Sequence, residues 1–229
     1  MSVADRATAP APVEPAHETL VERYARMAHT FERRPVDVIL RALDVAIAGT
    51  ALVVLAPVLG VCALAVLSTG RPVLYRGRRV GMAGRIFTMY KFRTLSADAE
   101  TRLGPHYGAE LTQLTAGEQT RVGRVLRATK LDELPQLWNV LTGDMSIVGP
   151  RPIRPTFFED LSREIPAYWQ RLVVRPGLTG FAQLRLSREM SWAEKLAHDF
   201  EFIADRSVRL YVSVIAQTAY YVVSGKWSS

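Results

Sequence analysis

The sequence predicts an α+β fold: a small, mostly helical domain with a short β-hairpin, anchored by an N-terminal re-entrant membrane helix-hairpin. An uncharged, mostly apolar stretch covers residues 45–70, with Pro57 near its middle. Short apolar pieces separated by glycines follow it, and the rest of the chain repeats its apolar residues at helical spacing. We therefore divide the chain into an extension at 1–32, a membrane hairpin at 33–70 and a folded domain at 71–229.

The N-terminal extension does not have the pattern of a secretory signal. Residues 1–16 are rich in Ala and Pro and contain no apolar block, which predicts a disordered tail. In residues 17–31 apolar side chains recur at helical spacing among charged ones, which predicts an amphipathic helix. Because a helical stripe does not reveal which surface it meets, both lipid and the folded domain remain candidates.

The membrane stretch is long enough for a spanning helix, which needs about 20 residues. Pro57 removes a helical amide, so we expect a kink at Ala56-Pro57. Arginines flank the stretch on both sides: Arg33, Arg34 and Arg41 before it, and Arg71, Arg76, Arg78, Arg79 and Arg85 after it. Since basic flanks resist translocation, a hairpin that enters and leaves by one face suits both of them. A kinked crossing and a buried core helix are the alternatives.

Composition limits the partners without choosing among them. The 229 residues, 48% of them hydrophobic, are enough for one domain beyond the membrane part. A net charge of +7 suits phospholipid head groups, phosphorylated substrates or nucleic acid. The single cysteine, Cys62, cannot form an internal disulfide, which fits a reducing compartment.

The folded domain begins with two short strands, at residues 73–75 and 86–90, joined by a glycine-containing turn. The polar segment 97–117 predicts a helical turn and a loop. Helices are predicted at 121–128, 131–141, 154–173, 192–204 and 208–223, with loops at 149–152 and 175–180. In the second of these helices Asp132 is the predicted N-cap and Gly143 the predicted stop.

Three groups of cations are candidates for phosphate binding. Lys91 and Arg93 project from one side of a strand if the alternation holds, as a two-cation clamp would, although a solvated surface strand looks the same. Arg121, Arg124 and Arg127 recur every third residue and form one ridge on a helix. Arg151 lies between two prolines, which stiffen the backbone and fix the guanidinium.

An adjacent acidic pair, Asp132 and Glu133, stands among these cations. Acids commonly occupy the first turn of a helix for capping and dipole reasons alone. However, a carboxylate near several arginines stays ionised and can attack phosphorus, and its neighbour can help to hold Mg²⁺. The pattern therefore makes a phosphoryl-transfer centre possible.

These residues carry a resemblance to a known family. Residues 131–139, Leu-Asp-Glu-Leu-Pro-Gln-Leu-Trp-Asn, and 143–152, Gly-Asp-Met-Ser-Ile-Val-Gly-Pro-Arg-Pro, resemble the signature of the bacterial sugar transferases. These are the monotopic polyprenyl-phosphate phosphoglycosyl transferases. Residues 90–94 and 175–180 also match, as does Asp199, so the similarity runs from about residue 41 onward.

The resemblance implies a cytoplasmic catalytic domain at the bacterial inner membrane. Its reaction would transfer a sugar phosphate from a nucleotide-sugar, usually a UDP-sugar, to polyprenyl phosphate and release the nucleoside monophosphate. Asp132 would be the nucleophile that carries the phosphosugar, and Glu133 would assist in binding Mg²⁺. Lys91, Arg93, Arg121 and Arg151 match cations expected to contact phosphates. Further candidates without an assigned role are Asp199, Arg124 and Arg175.

The partners implied are the nucleotide-sugar, polyprenyl phosphate and membrane lipid, with no nucleic acid; a homo-oligomer is compatible with them. The chain departs from the family in having Ala56 where Ser commonly precedes the membrane proline, which removes a hydroxyl from the kink. Two rival functions remain at this stage. One is a non-catalytic, membrane-tethered domain that binds polyanions, and the other is a nucleotide-sugar hydrolase.

Overall fold

The computed structural model describes residues 34–96, 99, 114–185 and 191–225. The predicted disordered tail, the amphipathic helix at 17–31 and most of the polar segment 97–117 lie outside the described residues. The described part contains helices and two separate two-stranded sheets, so the α+β class is confirmed.

Two helices separated by a bend cover most of the segment predicted as a membrane hairpin. Helix α1 (Pro35–Val54) is followed by α2 (Ala56–Leu67), and their axes differ by 64°. The break lies at Leu55, one residue before the predicted position, because Pro57 already occupies the first turn of α2. Among the described helices, no single one is long and apolar enough to cross a membrane, whereas this bent pair passes that test together.

Helix α1 belongs to the core of the folded domain. Leu40 and Ala48 are buried in the cluster that also contains Phe87, Val140 and Tyr211. The boundary expected at residue 70 therefore does not separate two cores, because the main core contains residues from both sides of it. Several apolar side chains of the two helices remain exposed: Val38, Ile39, Val53, Val54, Val61 and Leu64.

Polar contacts fix α1 at three levels. Asp44, although it begins the apolar stretch, is 2% exposed. Its Oδ1 accepts hydrogen bonds from Ser146 Oγ at 2.9 Å, the Ile147 amide at 2.8 Å and the Tyr211 hydroxyl at 2.7 Å. Near the start of α1, Asp37 forms a two-point ion pair with Arg206, with 2.6 Å and 3.0 Å contacts. Arg41 donates to the carbonyls of Val140 at 2.7 Å and Leu141 at 2.9 Å, both on the helix Gln136–Thr142.

The predicted β-hairpin is confirmed. Strands β1 (Leu74–Val80) and β2 (Ile86–Phe92) pair antiparallel around the turn at Met82–Gly84. The first strand is longer than expected, because the exposed Arg76 and Arg78 flank the buried Gly77, and alternation of this kind is the pattern of a half-buried strand.

A second sheet was not predicted. Strands β3 (Ser146–Val148) and β4 (Gly177–Thr179) pair in parallel, so the predicted loop at 175–180 is partly a strand. A three-residue strand carries too little periodicity to be recognised in the sequence. The backbone after β3 approaches the backbone before β4 so closely that a Cβ on Gly149 would lie 2.4 Å from the Arg175 carbonyl oxygen.

Five of the six remaining helices in the described residues follow the predicted order, whereas the short helix Phe181–Arg185 was not predicted. The six helices are α3 (Arg121–Ala128), α4 (Gln136–Thr142), α5 (Pro155–Glu164), α6 (Phe181–Arg185), α7 (Trp192–Asp205) and α8 (Val208–Val223). The bounds of α3 and α8 equal the predicted ones. The predicted helix at 154–173 is divided into α5 and a separate 3₁₀ turn, Tyr168–Val173, because Pro166 cannot continue the helix.

Candidate active site

The acidic pair lies on a 3₁₀ turn, Leu131–Glu133, between α3 and α4. The prediction that Asp132 caps a helix is wrong: α4 begins after Pro135, and this turn is a separate element. Leu134 and Pro135 both keep helical backbone angles, but Pro135 has no amide to continue the hydrogen bonding of the turn, and α4 begins at Gln136. Lys130 precedes the turn in the left-handed conformation, at φ 59°. Gly143, at φ 90°, ends α4 as predicted.

Strand β2 brings a cation to the pair. Lys91 Nζ lies 2.7 Å from Glu133 Oε1. Asn139 of α4 fixes this arrangement, because its Nδ2 donates to the Thr88 carbonyl at 2.7 Å and its Oδ1 accepts from the Tyr90 amide at 3.0 Å. One buried amide side chain therefore joins the helix that follows the carboxylates to the strand that carries the lysine.

Asp132 is 7% exposed, and no described residue forms a hydrogen bond or ion pair with its carboxylate. Burial raises the pKa of Asp132; the Lys91 ammonium opposes this and the Glu133 charge adds to it, and the net shift is upward. A carboxylate of raised basicity that holds no partner is available to attack an electrophile.

Glu133 has the opposite pKa shift. Burial acts to raise its pKa, but the charges of Lys91, Arg151 and Lys130, with the hydrogen bond from Lys91, lower it to about 2. Neighbouring carboxylates whose environments move their pKa values apart are typical of sites that assign them different roles. Here Glu133 stays ionised and pairs with Lys91, whereas Asp132 has no such partner among the residues that the structure describes.

Two of the predicted phosphate ligands meet at the pair. Lys91 contacts Glu133, and Arg151, exposed on the loop after β3, contributes a charge that acts on the same carboxylate. Of the cationic ridge on α3, Arg127 is the member whose charge interacts with Asp132 and Glu133. The predicted ligands Arg121 and Arg124 lie exposed on α3.

Arg93 has different partners from those of the predicted clamp. It is 7% exposed, and its guanidinium donates to the carbonyls of Pro72 at 2.7 Å, Leu95 at 2.8 Å and Gly70 at 2.8 Å. The bonds to Gly70 and Pro72 join the segment after α2 to the end of β2. Lys91 and Arg93 thus do not form one clamp, and phosphate contact by Arg93 stays a prediction.

The other candidate residues lie away from the pair. Arg175 donates to the Gly143 carbonyl at 2.9 Å, at the end of α4. Asp199 is buried in an ion pair with Arg171. Both residues therefore contact other parts of the protein, Gly143 and Arg171, and not the acidic pair.

Sequence reasoning missed four residues of this site or its support. They are Lys130, Gln136, Asn139 and Arg171. Lys130 lies next to the acidic pair in the chain, so its charge was an available signal. Gln136 Nε2 is buried without a hydrogen-bond partner in the structure, next to the acidic pair in the sequence. Asn139 and Arg171 contact segments distant in sequence, and no local pattern marks them.

The residues present fit a magnesium ion. No cluster of three or more metal-ligating side chains occurs in the described ranges, so a site saturated by protein ligands is not seen there. Mg²⁺ commonly takes one or two carboxylates and completes its shell with water and phosphate oxygens. An unpartnered Asp132 carboxylate beside an ionised Glu133 supplies that donor set.

Comparison with known proteins gives the class. A model of the bacterial sugar transferase family matches residues 36–225. This chain belongs to the bacterial sugar transferase family.

Three relatives of this chain are named for the same type of reaction. A UDP-glucose:undecaprenyl-phosphate glucose-1-phosphate transferase of Caulobacter vibrioides is 38% identical over 194 residues, covering 81% of this chain and 70% of that protein. A UDP-N-acetylgalactosamine-undecaprenyl-phosphate N-acetylgalactosaminephosphotransferase of Aeromonas hydrophila is 37% identical, covering 81% and 44%. A UDP-glucose:undecaprenyl-phosphate glucose-1-phosphate transferase of Escherichia coli K12 is 39% identical, covering 79% and 39%. The chain thus spans less than half of the last two proteins.

Proposed function

We propose that this protein transfers a sugar-1-phosphate from a UDP-sugar to polyprenyl phosphate through an aspartyl-phosphosugar intermediate. The observation that carries the proposal is the buried, unpartnered Asp132 carboxylate, placed beside an ionised Glu133 and surrounded by cations. The names of the relatives supply the substrate class.

In the first half-reaction an Asp132 oxygen attacks the phosphorus that bears the sugar. The P–O bond to the uridine monophosphate breaks, and UMP leaves with the electron pair and a negative charge. Lys91, Lys130, Arg127 and Arg151 offset the charge on the phosphoryl oxygens, which in a water-poor site is the largest catalytic contribution. The buried Gln136 Nε2 is a donor without a partner, and a phosphate oxygen or a water would satisfy it.

In the second half-reaction an oxygen of polyprenyl phosphate attacks the same phosphorus. The bond to Asp132 breaks, the carboxylate is restored, and the product is a polyprenyl diphosphate sugar. Two displacements replace one crowded encounter between two anions, which is the advantage of covalent catalysis.

Asp132 and Glu133 would hold Mg²⁺, which when bound neutralises phosphate charge as a Lewis acid. Glu133 suits this because its lowered pKa keeps it ionised at neutral pH. Lys91, bonded to Glu133 Oε1, orients that carboxylate.

The bent helix pair would hold the site at the lipid surface. We propose that α1 and α2 enter and leave the cytoplasmic face of the bacterial inner membrane, with their exposed apolar side chains in lipid. Because α1 is also part of the domain core, the carboxylates stay at a fixed height above the membrane. The carboxylates then lie at the same level as the phosphate of an acceptor whose long isoprenoid tail stays in the bilayer.

A labelling experiment tests the proposal. Incubation with Mg²⁺ and a UDP-sugar labelled in the β-phosphate, without lipid acceptor, should leave about one label per active site on Asp132 and release UMP. Asp132→Asn should abolish both labelling and turnover, because an amide is not a nucleophile of comparable strength. Asp160→Asn, on the exposed face of α5, is the matched control and should behave like the unaltered protein.

Other outcomes separate the rivals. Turnover retained by Asp132→Asn would refute the nucleophile assignment. Continuous UMP release without lipid acceptor would instead indicate a hydrolase. Metal-independent binding of polyanions without any UMP release would indicate the non-catalytic alternative.

A further inference from the structure

A buried ion pair lies behind the loop that carries Arg151. Asp199 Oδ2, on α7, is 2.7 Å from Arg171 Nη2 and 3.0 Å from Arg171 Nε, and the two side chains are 7% and 5% exposed. Arg171 Nη1 also donates to the Tyr168 hydroxyl at 3.0 Å. Every nitrogen of the guanidinium is therefore engaged inside the protein.

The remaining contact of Arg171 leads to the active site. Its Nη2 donates to the backbone carbonyl of Arg151 at 3.0 Å. Packing alone does not require such a contact, since well-packed apolar side chains often replace a buried ion pair without loss of stability. The pair instead extends a hydrogen bond to the backbone of a residue whose side chain is exposed and whose charge acts on Glu133.

The loop needs this anchor because of its composition. Pro150 and Pro152 have no amide hydrogen, so the backbone around Arg151 is fixed mainly through its carbonyls. The Gly177 amide holds the Pro150 carbonyl at 2.9 Å. The next carbonyl, that of Arg151, is held by a side chain that itself depends on Asp199.

We propose that Asp199 and Arg171 are positioning residues that fix the Arg151 backbone and so direct its guanidinium to the phosphate of the bound nucleotide-sugar. This inference rests on the proposed function. It gives Asp199 a role at a distance from the chemistry. A bidentate contact between guanidinium and phosphate depends on placement, and a misplacement of about 1 Å in an active site can cost roughly 100-fold in rate.

Steady-state kinetics of the full chain in lipid nanodiscs tests the coupling. Arg151→Ala should lower kcat/KM for the UDP-sugar by roughly 100-fold, and Asp199→Asn by roughly 10-fold, mainly through KM. In the Arg151→Ala background, Asp199→Asn should have no further effect, because the side chain that it positions is gone. Tyr168→Phe, which leaves the carbonyl bond intact, should stay within about two-fold of the unaltered protein.

A second variant covers the case in which single changes prevent folding, since removing one partner of a buried ion pair leaves an uncompensated buried charge. The double substitution Arg171→Met with Asp199→Leu should restore the melting temperature without restoring KM. Recovery of both would overturn the inference, as would additive effects of Asp199→Asn and Arg151→Ala. Absence of sugar-phosphate transfer by the unaltered protein would overturn the proposed function and this inference with it.

Discussion

Replacing Asp44 by alanine should destabilise the whole protein, because this buried carboxylate joins helix α1 of the bent pair to the rest of the domain. Its Oδ1 accepts three hydrogen bonds, from Ser146, Ile147 and Tyr211. A hydrogen bond to a charged group contributes about 1.5–3 kcal/mol, and the three are not additive because they share one oxygen. We expect a loss of about 3–5 kcal/mol in the free energy of unfolding, a range typical of a broken buried polar network.

The assay is thermal unfolding in detergent micelles, followed by tryptophan fluorescence. For a chain of this size each kcal/mol shifts the melting temperature by about 2–4 °C, so Asp44→Ala should lower it by roughly 6–20 °C. Asp44→Asn keeps an acceptor oxygen for the same donors and should lose about half as much. Asp160→Ala, at an exposed ion pair, should change the free energy of unfolding by less than about 0.5 kcal/mol.

Two results would refute this reasoning. One is a shift for Asp44→Ala no larger than that for Asp160→Ala. The other is a separate low-temperature transition for the hairpin while the main transition stays unchanged. The second result would mean that α1 is not part of the common core, contrary to the burial of Leu40 and Ala48 in it.

Two further predictions concern the site and its support. Lys91→Met should move the acid limb of the kcat/KM profile to higher pH, since the proposed nucleophile Asp132, whose pKa is already raised by burial, loses the cation that most opposes this rise. Lys91→Arg should keep the limb, and an unchanged limb in Lys91→Met would contradict the assignment. Gly123→Ala should lower the melting temperature by several degrees, because its Cβ would lie 2.0 Å from the Thr94 carbonyl oxygen; overpacking costs about 1–3 kcal/mol. Gly117→Ala is the control, because a Cβ at that position would have no atom within 4 Å. Equal shifts in the melting temperatures of the two variants would show that α3 moves without cost.

The sign of the Lys91 prediction follows from the direction of the pKa shift. The folded-state pKa of Glu133 lies below its ordinary value of 4.5, so its contribution to stability is present above pH 4.5 and is lost as the pH falls toward about 2. The Lys91 ammonium lowers the pKa of both Asp132 and Glu133, so its removal raises both pKa values. Each carboxylate is then protonated at a higher pH.

Much of the fold was predictable because its signals are local. Pro57 removes an amide and bends the apolar stretch wherever that stretch lies, so the bend follows from the sequence with an error of one residue in its position. The β-hairpin and helices α3 and α8 follow from periodicity and from turn residues. The short strands β3 and β4 have no such periodicity.

The candidate site was predictable in its chemistry but not in its geometry. The sequence places Asp132 beside Glu133 and supplies cations, and motif spacing identified the family. It could not show that Arg93 would bond carbonyls at the end of the hairpin while Lys91 paired with Glu133. Strand alternation treats those two side chains alike, because it records the face of a strand and not what packs against it.

The sequence by itself determined the local elements: the bend at the proline, the adjacent carboxylates and the stiff loop around Arg151. The tertiary structure decided which carboxylate is paired, and it turned Asp44 and Asp199 into supports of distant segments. Asp44 reaches a serine 102 positions away, and Asp199 an arginine 28 positions away. Such pairs form only when separate elements pack together, and packing depends on the shapes of whole surfaces, which no short window of sequence contains.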